Sequence, residues 1–230
     1  MTTRSVARVA HALTAAVAGV GVIWQLVLVL QGVNVLTDDD GSLPSAGRRV
    51  VQFLSFFTIE SNILVAIGGT LLALHPDLRR RGGQVVRLMG LIGIAVTGII
   101  FATVLRTQVD LHGAAAVTNA LLHYVSPAMA LVFWVLFGPR PRLDGWIVSR
   151  ALIWPLVYMV YIVVYGAFTD WYPYPFVDVV DHGYLVVVIR AVLVLLLLVG
   201  IAAIVSLLDR HLPAAPGRDG DRRAATSIGG

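Results

Sequence analysis

"FFTIESNILVAIGGTLLAL", residues 56–74, decides how the rest of the chain is read. From Ile63 onward it is an apolar run broken only by Gly68, Gly69 and Thr70, and it would dissolve in oil. Its first part carries Thr58, Glu60, Ser61 and Asn62 within five positions, and Glu60 is the only glutamate in the chain. A run of this length without further charge is read as a membrane-crossing helix. Polar and ionisable groups inside such a helix are costly, so they face a bundle interior or a wet cavity.

Working outward, five further stretches share that character. The spans run from Val9 to Gln31, Val50 to Leu74, Val85 to Leu105, Ala116 to Phe137, Trp146 to Phe168 and Tyr184 to Leu208. The 230 residues are 58% hydrophobic and only 13% charged. Soluble domains carry about 25% charged residues, so the composition excludes an ordinary soluble fold. The expected fold is all-α, a polytopic bundle of six transmembrane helices over residues 1–208. A polar tail over 209–230, rich in Pro, Gly, Asp and Arg, is expected to be disordered. The first span opens like a secretory leader, but its apolar run continues to Leu30, and a retained helix is expected.

Charge sets the orientation. All seventeen basic residues are arginines. Arg4 and Arg8 precede the first span, and Arg79, Arg80 and Arg81 follow the second. Arg140 and Arg142 follow the fourth span, and Arg210, Arg218, Arg222 and Arg223 follow the sixth. The opposite side has Arg48, Arg49 and Arg106 beside the acidic run Asp38, Asp39, Asp40. The positive-inside rule then puts both termini in the cytoplasm, and the plasma membrane is the expected location. Arginines in short loops beside apolar spans report topology, so the net charge of +4 is not a nucleic-acid signal.

With that orientation, the polar residues of five spans share one depth band in the outer half of the bilayer. Thr58 lies roughly 12 Å in and Arg190 roughly 9 Å in, at about 1.5 Å per residue. His123 lies at a similar depth, Trp24 and Gln25 occupy the outer half of the first span, and Tyr158, Tyr161 and Tyr165 line the outer half of the fifth. Ser55, Thr58 and Asn62 share one helical face, as do Asn119 and His123, with Pro127 a turn further on. Glu60 is about 200° round the helix from Thr58 and is expected to pair with Arg190 or Arg106 on another span.

Plainer readings stand beside each residue. Thr58 can bond back to the carbonyl of Leu54. His123 can serve as an interhelical hydrogen bond. Glu60 and Arg190 can form a structural ion pair. The remaining histidines sit at span ends or in loops without metal-ligand spacing, and no cysteine is present. No metal and no organic cofactor is expected. GxSxG, P-loop and GxGxxG patterns are absent from the sequence.

Three stretches in this order, "FFTIESN", "NALLHYVSP" and "WYPYPFVDVVDHG", resemble six-span membrane proteins of the androgen-induced-protein family, closest to its actinobacterial branch. The resemblance covers roughly Val50 to Leu208. It implies a threonine hydrolase of fatty-acid esters of hydroxy fatty acids, with Thr58 as nucleophile and His123 as the histidine. It also matches the aromatic-Pro-Phe element to Tyr174, Pro175 and Phe176, and implies an actinobacterial plasma membrane. The polar run after Thr58 and the offset of the proline after the histidine depart from the family pattern and leave the substrate open.

The chemistry implied is consistent. A threonine hydroxyl needs a base to take its proton, and imidazole has the right intrinsic basicity. The developing oxyanion needs donors, for which Asn62, Asn119 and Arg190 are the candidates in that order. Asn119 or a span-five tyrosine such as Tyr161 would orient the imidazole. The expected function is hydrolysis of lipid esters in an outer-leaflet pocket, with membrane lipids as surroundings and a lipid ester or amphiphilic small molecule as substrate. The alternative is a non-enzymatic binder or transporter of lipids or small amphiphiles centred on Glu60 and Arg190. A third reading is a scaffold whose polar core is only structural.

Overall fold

The computed structural model describes residues 2–33, 41–140 and 142–213. The acidic run Asp38, Asp39, Asp40 and the tail beyond Pro213 lie outside the described residues. Among the described residues the chain is helical and contains no strand. Six helices are long and apolar enough to cross a membrane. Many large apolar side chains lie on the exterior of the bundle. Phe168 is 85% exposed and Leu185 74% exposed, as expected of surfaces that face lipid tails.

Helix α1 spans Thr3–Leu30 and starts on the Thr2 hydroxyl, which accepts from Ser5 N–H at 3.3 Å. Helix α2 spans Ala46–Leu54 and α3 spans Phe57–Leu74. Helix α4 spans Arg81–Ile100 and runs on through a π-turn at Phe101–Leu105 and a 3₁₀ turn at Arg106–Gln108. Helix α5 spans Gly113–Ala120, passes through a second π-turn at Leu121–Val125, and continues as α6, Ser126–Phe137. Helix α7 spans Gly145–Thr169 and α8 spans Val179–His211.

The sequence predicts one continuous second span from Val50 to Leu74, and the structure corrects this. The helix breaks at Ser55 and Phe56, the latter extended at φ −80° and ψ 124°. The break is held by tyrosines of α7. Tyr158 donates its hydroxyl proton to the Ser55 carbonyl at 2.9 Å, while the Ser55 hydroxyl bonds to Tyr161 at 2.7 Å and donates to the Val51 carbonyl at 2.8 Å. Ile59 N–H, which would have served the Ser55 carbonyl in an unbroken helix, turns to Phe56 O instead. Backbone groups freed inside a bundle must find partners of this kind. As a consequence, Thr58 becomes the second residue of a new helix.

Helix α3 is the central helix, packed between α1 and α4. Gly90 of α4 lets the backbones approach so closely that a Cβ there would lie 3.0 Å from Val65 N. A Cβ on Gly69 would lie 2.9 Å from the His11 carbonyl of α1. Small residues at such crossings are how membrane helices pack without a hydrophobic drive between them. The main core lies between α4, α6, α7 and α8, around Leu88, Ile92, Trp134, Ile147, Ala151, Leu198 and Ala202.

The boundary of the polar tail is also corrected. Helix α8 continues to His211, and Asp209, placed by sequence in the tail, is wholly buried. Its Oδ2 accepts from the backbone N–H of Arg142 at 2.7 Å and of Leu143 at 2.9 Å, and its Oδ1 faces the buried Arg87 guanidinium at 3.9 Å.

Candidate functional site

The site forms where the start of α3 meets the π-turn between α5 and α6. Thr58 Oγ1 and His123 Nε2 are 3.3 Å apart. The other ring nitrogen, Nδ1, lies 3.1 Å from the backbone carbonyl of Asn119. A carbonyl oxygen can only accept, so Nδ1 carries the proton and Nε2 presents its lone pair to the threonine hydroxyl. The face of the imidazole stacks on Phe101, with centroids 4.0 Å apart. Ring orientation and tautomer are therefore both fixed by contacts with neighbouring residues.

The π-turn follows from Pro127. Proline has no N–H, so the carbonyl of His123 loses its usual partner four residues on. Ser126 N–H reaches back five residues to Leu121 O, which leaves the carbonyl of Leu122 without that donor. Asn62 fills this gap, donating from Nδ2 to Leu122 O at 3.2 Å and to Thr58 O at 2.8 Å. Asn62 thus ties the Thr58-bearing turn to the His123-bearing turn. A second π-turn, at Phe101–Leu105, brings Phe101 onto the imidazole. Single-turn π segments recur at functional sites because they re-aim side chains.

Tyr174 completes the cluster, and sequence reasoning gave it no chemical role. Its hydroxyl accepts from Thr58 N–H at 3.3 Å and lies 3.5 Å from Thr58 Oγ1. Burial pushes the Tyr174 phenol above its ordinary pKa, so it stays a neutral O–H donor. The loop that carries it is braced by aromatic contacts of Tyr174 and Trp171 with Phe56. The available signal was the alternation "WYPYPF", in which Pro173 and Pro175 hold the tyrosine between two rigid turns.

Two cavities meet at Thr58. The wider, about 300 Å³, is lined by Gln25, Gln108, Asn119, His123, Thr58 and Tyr174 among apolar neighbours. The narrower, about 50 Å³, is an apolar slot lined by Phe57, Val96, Met159, Ile162, Val177 and Leu198, with Thr58 and Tyr174 at its mouth.

The other sequence candidates fall elsewhere. Asn119 lines the wider cavity and orients His123 through its carbonyl. Asn62 is committed to two carbonyls and is not the free oxyanion donor the sequence puts first. Glu60 pairs with neither Arg190 nor Arg106. It accepts from the Trp154 indole N–H at 2.8 Å. Arg190 donates to the carbonyl of Phe176 at 3.4 Å and so braces the loop that carries Tyr174. Tyr161 holds the helix break through Ser55 and does not line the cavities at Thr58. Thr58 Oγ1 makes no back-bond to Leu54 among the described residues. Among those residues no group of His, Asp and Glu forms a metal site.

Fold and site together define a class: a helical chain with six membrane-length helices among the described residues and a buried threonine beside a half-buried histidine at one end of the bundle. No family model matches the chain, and neither a curated protein nor a solved structure matches it.

Proposed function

We propose that this chain is an intramembrane hydrolase of lipid esters, in which Thr58 is the nucleophile and His123 the base. The observation that carries this reading is the placement of the two imidazole nitrogens, one at the Asn119 carbonyl and one at the Thr58 hydroxyl. With Nδ1–H given to Asn119 O, the free lone pair of Nε2 faces the threonine hydroxyl at 3.3 Å. That is the arrangement an activated hydroxyl needs.

In the first step Thr58 Oγ1 attacks the ester carbonyl carbon and its proton passes to His123 Nε2. The carbonyl oxygen becomes an oxyanion facing the Tyr174 hydroxyl and the Asn119 amide. The positive end of the α3 dipole also lies there, because Thr58 is its second residue. The ester C–O bond then breaks, and His123 returns the proton to the departing alkoxide, releasing an alcohol. Water attacks the acyl-threonine, gives its proton to His123, and a carboxylic acid leaves while Thr58 Oγ1 recovers its proton.

The arginines support the orientation. Arg4 reaches Asp77, Arg81 reaches Asp144, and Arg87 and Arg140 lie with them at the end opposite Thr58. Positive-inside placement makes that end, with both termini, cytoplasmic and puts Thr58 toward the outer leaflet. Glu60 and Arg190, on which a binder or transporter would centre, bond to Trp154 and Phe176 and line neither cavity at Thr58. Open space at Thr58 likewise speaks against a filled scaffold core.

The test is hydrolysis of acyl esters by the purified protein in nanodiscs. Turnover by wild type that falls about a thousandfold or more in Thr58→Ala and in His123→Ala is expected. Equal turnover in Thr58→Ala and wild type would contradict the proposal.

A further inference from the structure

A third space bears on Thr58 without touching it. Between α7 and α8 a groove of about 340 Å³ opens on the bundle exterior, lined almost wholly by aliphatic side chains such as Val160, Val164, Val188 and Ala191. Four residues line both this groove and the apolar slot at Thr58: Pro155, Met159, Val194 and Leu198. The groove and the slot are therefore two sides of one thin wall. Met159 is its adaptable member, because an unbranched thioether side chain re-packs at little cost. Pro155 deprives α7 of a backbone N–H at the same level, where proline kinks a helix.

The direction of the chemistry assigns the two sides of Thr58. His123 must hand its proton to the departing oxygen, and it lines only the wider cavity. The alcohol portion of the ester therefore lies in that cavity, beside Gln25, Gln108 and Asn119. The acyl portion, on the other side of the carbonyl carbon, points into the slot. At about 50 Å³ against about 300 Å³ for the wider cavity, the slot is too small to enclose a fatty acyl chain. A long chain has to pass through the wall.

We propose that the groove between α7 and α8 is the acyl-chain subsite. A fatty acyl chain enters laterally past Met159, its carbonyl end reaches Thr58 through the slot, and its tail lies along Val188 and Ala191. The ligand class is a long-chain acyl ester whose alcohol portion is the more polar part. This inference rests on the hydrolase reading above, so its test has one arm that needs turnover and one that does not.

The first arm uses p-nitrophenyl esters from acetyl to palmitoyl, with the alcohol held constant. In Ala191→Trp, which fills the groove away from Thr58, kcat/KM for palmitoyl is expected to fall at least about tenfold, a change typical of a blocked apolar subsite. The acetyl ester is expected to be cleaved as by wild type, which also reports an intact fold. Equal loss at every chain length, or no loss at any, overturns the proposal. The second arm uses Thr58→Ala protein with a palmitoyl ester carrying a diazirine in its acyl chain. Photoadducts on Val188 and Ala191 of the groove together with the buried slot residue Ile162, competed by excess unlabelled ester, are expected whether or not the chain is an enzyme. Adducts on Phe53 and Val109 of the wider cavity, or no competed adducts in the groove and slot, overturn it. If wild type cleaves no ester while Ala191 and Ile162 are labelled, the hydrolase reading fails and the chain subsite stands.

Discussion

At the arginine end of the bundle, Asp209 spends one oxygen on two backbone N–H groups and turns the other toward Arg87. Arg140 donates to the carbonyls of Trp134, Val135 and Gly138 and lies over the Trp134 ring. These are charged side chains used to close helix ends and loops. At the other end, Arg49 closes α1 and Asp178 caps α8, but the break at Ser55 and the π-turn beside His123 are closed by neutral groups, Tyr158, Tyr161 and Asn62. Thr58 Oγ1, His123 Nε2 and the Tyr174 hydroxyl are left facing one another and open space. The first end spends its polarity on the fold. The second holds polar atoms in place and leaves them available to a ligand.

Substitutions that separate activity from stability sharpen that contrast. Thr58→Ala is expected to lower ester turnover about ten-thousandfold, or ~5 kcal/mol of transition-state stabilisation, with the unfolding midpoint nearly unchanged. The Thr58→Ala/His123→Ala double variant is expected to be no worse than either single one, since the two act as a unit. The arginine end should behave in the opposite way. Asp209→Ala leaves the buried Arg87 without its counter-charge and frees two N–H groups, and about 3 kcal/mol of unfolding free energy is expected to be lost. Denaturant titration measures this, and turnover per folded molecule should stay at the wild-type level.

Tyr174→Phe sits between these extremes. It removes the hydroxyl facing Thr58 but keeps the ring that packs on Phe56. A fall in kcat of about thirtyfold with KM unchanged is expected, the loss of one oxyanion donor being worth about 2 kcal/mol. An equal rise in KM would instead make Tyr174 a wall of the cavity.

The smallest effect is at Asp144, which caps α7. Its bond from Ile147 N–H at 2.9 Å, with help from Arg81, holds its carboxyl below the usual carboxylate range. A depressed folded pKa adds stability above the unfolded value of about 4 and loses it as pH falls through the folded pKa. Asp144→Asn is therefore expected to flatten the acid limb of stability below about pH 4. Near neutrality a small loss of stability is expected. Thermal midpoints collected across pH check this.

The sequence carries the six apolar spans in its composition and run lengths. It also points to Thr58 and His123 together, because their faces and depths converge. Three features escape it for physical reasons. The break at Ser55 and Phe56 has no proline or glycine to announce it, since it depends on hydroxyls from Tyr158 and Tyr161 about a hundred residues away. The pairing of Tyr174 with Thr58 is equally non-local, and "WYPYPF" reads as an interfacial loop until the fold brings it over α3. Glu60 misled because a lone carboxylate in a span invites an arginine, whereas a tryptophan indole N–H also satisfies an acceptor. Pro127 was the one local clue to the π-turn. Its missing N–H predicts that the His123 carbonyl loses its donor, but not that Ser126 N–H would shift to Leu121 O and leave the Leu122 carbonyl to Asn62.

The most direct test of the central claim is fluorophosphonate labelling of the protein in nanodiscs, with the adduct mapped by peptide mass spectrometry. The account predicts one adduct on Thr58, lost in His123→Ala although the hydroxyl is still present. An adduct elsewhere that persists in Thr58→Ala, or no adduct in wild type, would contradict an activated threonine at this site.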